Sequence, residues 1–304
     1  MARSVEGLKS EALRAALQDA LAGEVQRLEE LLARHGGLPG PKPNVKLAAA
    51  FGIELASAPG EVASLLTRLG AHDAAPDQPE AFLPIAAAHG WAQRIAQGRE
   101  VEPGWRALEE LTADERSPVR VGTLDAVVTF ALREGHADTL IARATDWLEW
   151  QEDRELSFGA AALVVEAIAD ARVLAVVREP EALLDYLSKV IDKIAGAPRA
   201  AERSDGRRRV LTSLAGGLAS VVALVRAGER GLAWFASECE RASHPDVRAA
   251  LSQALIRLQA IPQAPAGAAI DGLRKTLEGS AKPLRDPTRV RPGTGRGRRS
   301  RKTR

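Results

Sequence analysis

Apolar residues in this chain return every third or fourth position, in one segment after another. The clearest run, Leu183, Leu184, Leu187, Val190, Ile191 and Ile194, places all its side chains on one helical face. A second run joins Val210, Leu211, Leu214, Leu218, Val221, Val222 and Val225. Valine-rich stretches such as Val119 to Val128 lack the alternation of a half-buried strand and sit inside helix-period patterns. The pattern predicts an all-α protein. Only 4% of the residues are aromatic, so alanine, leucine and valine must fill the core, and small side chains favour close helix packing.

The periodicity predicts helices within 5 to 34, divided near Gly23, and then near 45 to 57, 59 to 69 and 80 to 97. Further helices are expected near 103 to 112, 117 to 134, 137 to 150, 156 to 169, 180 to 195, 206 to 227, 229 to 242 and 245 to 260. The proline-rich segment Leu38 to Asn44 and the Asp/Pro-rich segment 71 to 79 read as loops.

Two breaks share local wording, Ser117-Pro118-Val119-Arg120 and His244-Pro245-Asp246-Val247-Arg248. Proline fits a first helical turn, where its missing N–H leaves no bond unmade. The stretch from Pro245 to Leu255, a proline followed by a valine–arginine pair and then small and apolar residues at helical spacing, resembles the second helix of a HEAT repeat. Ser117 to Val128 resembles it more loosely. Val119 and Val247 stand 128 positions apart, close to three units of roughly 40–47 residues. Intermediate second helices are expected to begin near Ser157 and Asp205. The resemblance covers 100 to 260 and extends to uncharacterised bacterial HEAT-like proteins. It implies an α-α superhelix, a HEAT-like solenoid of stacked antiparallel helix pairs over residues 1–281; the long surfaces of such a stack suit extended partners, and a protein partner is expected. It also implies that Arg120 and Arg248 pair within the stack, with an acidic group of the adjacent repeat; otherwise they would form an arginine ladder facing a phosphate-bearing partner.

Charge divides the chain differently. Residues 282–304 hold ten cations against Asp286, a balance of +9, and the remainder carries −7. Prolines, glycines and a near absence of apolar side chains after Val290 predict a disordered basic tail. Its Arg289, Arg291, Arg296, Arg298, Arg299, Arg301, Lys302 and Arg304 suit contact with the phosphates of DNA or RNA.

Catalytic signals are sparse. The lone Cys239 excludes an intrachain disulfide and a multi-thiolate zinc site, and the histidines lack metal-ligand spacing. No nucleophile elbow or phosphate loop occurs, and no cofactor is expected. Trp147, Trp150, Glu152 and Asp153 cluster at a predicted helix end. Aromatic and acidic groups together are used by HEAT-like DNA glycosylases acting on alkylated bases, which gives the alternative to a non-enzymatic scaffold. In the plainer reading Trp147 is core. His89-Gly90-Trp91 is a lesser pocket candidate. No run of about 18 apolar residues is present. The opening residues lack a secretory pattern, so a cytoplasmic location without membrane contact is expected.

Overall fold

The computed structural model describes residues 10–60, 62–150, 154–198, 201, 203–224, 229–262 and 267–279. Among them the regular structure is helical, with no strand. In chain order the helices are α1 (Ser10–Leu21), α2 (Gln26–His35), α3 (Val45–Ala56), α4 (Ala63–Gly70), α5 (Leu83–Ala96), α6 (Val101–Thr112), α7 (Ser117–Ala131) and α8 (His136–Trp150). They continue as α9 (Arg154–Ile168), α10 (Ala171–Val176), α11 (Pro180–Ala195), α12 (Asp205–Leu224), α13 (Glu229–Arg241), α14 (Pro245–Leu258) and α15 (Gly267–Gly279). A 3-10 turn, Pro79–Phe82, leads into α5.

The expected helices form, with local chemistry fixing their ends. Gly23, at φ 108°, separates α1 from α2, a backbone conformation that side chains with a Cβ disfavour. Asn44 closes the proline-rich loop: its carbonyl oxygen accepts from the Leu47 amide at 3.2 Å, and its amide donates to the His35 carbonyl at 3.0 Å. Proline stands in the first turn of α5, α7, α11 and α14. His244 caps α14 by accepting from the Asp246 amide.

Helices pack mainly on near neighbours in the chain. One series of contacts runs α3, α5, α7, α9, α12, α14, each touching the next. A second passes from α8 through α11 and α13 to α15. Two helices of the first series are enclosed. Every residue of α5 from Leu83 to Ile95 is buried. In α9 only Glu166 is exposed between Ser157 and Ile168. Such enclosure suits a mainly apolar helix; the buried Arg94 of α5 is paired with Glu100 at 2.6 Å, and glycines let the neighbours approach. A Cβ on Gly52 of α3 would lie 2.8 Å from the His89 carbonyl of α5. One on Gly122 of α7 would lie 2.3 Å from Ile85, and one on Gly217 of α12 would lie 2.6 Å from Val165 of α9. With α5 so thin a layer, α3 and α7 touch each other beside it. The chain also folds back on itself: Arg209 of α12 donates to the Thr112 carbonyl that ends α6, 97 positions away.

The outer surface is held differently. Arg68 reaches Glu29 at 2.7 Å, Lys189 reaches Glu149 at 2.6 Å, Arg230 reaches Glu181 at 2.7 Å and Arg241 reaches Asp192 at 2.8 Å. Arg143 pairs with Glu102. These pairs join positions 39, 40, 49, 49 and 41 apart in the sequence.

Candidate binding cleft

One face of α6 lines a concavity. Glu102, Arg106 and Glu110 follow one another four positions apart, with Pro103 and Ala107 beside them, so they share one face, and Asp114 follows just beyond the helix end. This face lines a cleft of about 1060 Å³. The C-terminal end of α4 forms one wall through Leu66, Thr67, Gly70 and Ala71, and α8 contributes Arg143, Asp146 and Trp147. Gly70, Ala71 and Ala107 keep the space open because their side chains are too small to fill it. Trp91 of α5 also reaches the lining.

The balance of charge is acidic. Five carboxylates, Glu102, Glu109, Glu110, Asp114 and Asp146, face two guanidiniums, Arg106 and Arg143, a formal −3. Arg143 sits between two of the acids, bonded to Glu102 and 3.9 Å from Asp146 Oδ2. Asp114 is fixed at the rim by Arg116, whose guanidinium it receives at 2.6 Å. Arg116 also donates to the carbonyls of His72 and Ala74 at 2.7 and 3.1 Å, tying the 71–79 loop to the start of α7. Glu102 and Glu110 are exposed. Asp146 is more than half exposed. Glu109 is buried.

The floor is stiff. Trp147, 6% exposed, meets Trp105 edge-on at 5.7 Å between ring centroids, and Trp105 meets Phe130 at 5.1 Å. Trp147 is thus core, as its plainer reading held, while one edge borders the cleft. The side chains of Trp150, Glu152 and Asp153 lie outside the described residues, as does the whole 282–304 segment with its arginines.

Arg120 and Arg248 both bind carbonyl oxygens. Arg120 donates to Asp114 and Glu115 at 2.6 Å each, closing the turn that precedes its own helix. Arg248 donates to Ala242 at 3.2 Å and crosses to the Leu277 carbonyl on α15. A guanidinium at a helix C-terminus satisfies carbonyls left without an intrahelical donor. The valine–arginine wording therefore marks a structural clamp in both places.

His89 and Trp91 part company around Gly90. His89, 1% exposed, points toward α7, with Nε2 3.5 Å from Asp125 Oδ2, too far for a good hydrogen bond. Burial pushes its pKa down to about 4 and raises that of Asp125. The imidazole is therefore neutral near pH 7. Burial also pushes the Cys239 thiol up to about 12, helped by Glu238 and Glu240, which leaves it protonated. A reactive cysteine needs the opposite shift.

The acidic cleft was missed from sequence, although its signal was present in the four-residue spacing of Glu102, Arg106 and Glu110. Such spacing also describes an ordinary solvated helix face. The end of α4 with Ala71 on one side and α8 on the other turn that face into a concavity.

Among the described residues no group of three or more histidine, cysteine or acidic side chains is placed to hold a metal ion. No helix there is long and apolar enough to cross a membrane. The chain matches no family model, no curated protein and no solved structure.

Proposed function

We propose that this protein is a non-enzymatic helical-repeat scaffold of HEAT-like type, tightly wound, that binds a protein partner through the cleft between α4, α6 and α8. The cleft is the observation that carries the reading. Its carboxylates offer charge to a cationic partner, and its small apolar residues can cover the stems of long side chains. Cross-helix pairs recurring at 39 to 50 positions support a repeated helical unit of roughly the HEAT length. Buried α5 and α9 supply the rigid base that such a surface needs.

Neutralising the exposed acids tests this. The variant Glu102→Gln/Glu110→Gln/Asp146→Asn keeps the apolar core and removes three negative charges. Affinity capture with the full chain should recover a protein partner whose yield falls about tenfold with the variant. Recovery sensitive to nuclease in both forms, with no protein whose yield depends on the cleft, would replace the reading with direct nucleic-acid association.

A further inference from the structure

The cleft has a ready occupant in the chain's own basic segment. Residues 282–304 carry +9, whereas the remainder carries −7, and the cleft's exposed acids, Glu102, Glu110 and Asp146, outnumber its two guanidiniums, Arg106 and Arg143. We infer that segment 282–304 lies in the α4/α6/α8 cleft of the same molecule, its arginines and lysines against Glu102, Glu110 and Asp146.

Reach permits it. The helix α15 ends at Gly279 and packs on α13, α13 packs on α11, and α11 packs on α8, which forms the cleft wall. Three helix-to-helix steps of about 8–10 Å span about 30 Å. Twenty-three residues can extend to about 75 Å. Tethering also raises the local concentration of the segment to about the millimolar range, so individually weak ion pairs suffice to hold it. Arginine suits the site, because its planar guanidinium bonds two carboxylate oxygens at once while its stem covers Pro103 and Ala107. This inference shares the cleft with the scaffold reading and does not require a partner.

The segment contains two amines, Lys282 and Lys302, which makes zero-length coupling of amine to carboxylate a direct readout on the full chain. Dilute protein at low salt is treated with a carbodiimide, digested and analysed by mass spectrometry. A mixture of isotopically heavy and light chains separates links within a molecule from links between molecules. The expected result is a link from Lys302 or Lys282 to Glu102, Glu110 or Asp146 within one chain. Its yield should fall about tenfold in 0.5 M salt, where screening is strong. The variant Arg298→Gln/Arg299→Gln/Arg301→Gln keeps both amines and leaves the helical body untouched, and it should lower the yield similarly.

Links spread evenly over distant exposed acids such as Glu134 and Asp205, or a yield indifferent to salt and to the arginine variant, would overturn the inference. Mixed heavy–light links alone would do so as well. The two readings fail separately. A cleft that captures a partner without the intramolecular link keeps the scaffold, and the link without a captured partner keeps only the occupied cleft.

Discussion

Two regions of this protein solve the problem of joining helices in opposite ways. Around α5 and α9 the contacts are close and mainly apolar, made by glycine and alanine against backbone and branched side chains. Across α8, α11 and α13 the helices are linked at the surface by arginine or lysine against carboxylates. Dispersion and water exclusion act through distance, so an added methyl group matters inside. Exposed charges are screened and mobile, so each outer pair contributes little by itself.

The sharpest way to break the comparison is pH, because α5 carries a titratable group in its dry interior. His89 has a folded pKa of about 4 against about 6.5 when unfolded. Below pH 6.5 the unfolded chain takes up a proton that the folded chain refuses. Stability from this residue is complete above that pH and drains as pH falls toward 4. Between pH 6.5 and 5 the loss amounts to about 2 kcal/mol. Asp125, whose pKa is raised by burial, opposes the loss at the lower end. Urea unfolding at the two pH values should show the decline in the wild type and a flatter profile in His89→Leu. An equally steep decline in the variant would assign it to other groups.

Next comes a pair of identical substitutions with opposite expected signs. Gly52→Ala sets a methyl group 2.8 Å from the His89 carbonyl, where backbone must move. Overpacking of about 1–3 kcal/mol exceeds the roughly 1 kcal/mol gained in helix propensity, for a net loss of about 1 kcal/mol. Gly272→Ala on α15 meets no atom within 4 Å and should gain up to about 1 kcal/mol. Denaturation midpoints moving in the same direction would remove close approach as the reason for glycine in α3. The smallest effect belongs to the outer pairs. Lys189 and Glu149 are 44% and 48% exposed. Lys189→Ala should cost less than about 1 kcal/mol, with the difference shrinking further in high salt. A larger loss would mean that the surface links act as a cooperative network.

Much of the architecture was legible because helix period and helix length are local properties. The run from Leu183 to Ile194 became α11 with the bounds expected, and Pro118 and Pro245 opened helices as their wording implied. Two helices escaped the reading. The six residues of α10 are too few to establish a period, and Gly267, Gly272 and Gly279 disguise α15. The enclosure of α5 was also hidden: Ala86, Ala87 and Ala88 are compatible with either a surface or a core. Only the approach of neighbours decides between them. The same holds for the cleft, whose acids announce a helix face but not the walls around it. Trp147 was read correctly as core from its spacing to Ala144 and Ile141, both buried beside it.

The surface pairs also measure the chain. Early links bridge 39 to 41 positions, whereas those between α11 and α13 bridge 49, across the 20-residue α12. The spans that these pairs bridge are therefore unequal, and each helix is matched mainly to its own neighbours. Duplicating, deleting or exchanging two successive helices would set charges out of step by half a helix or more, and the ion pairs on either side of the change would lose their partners.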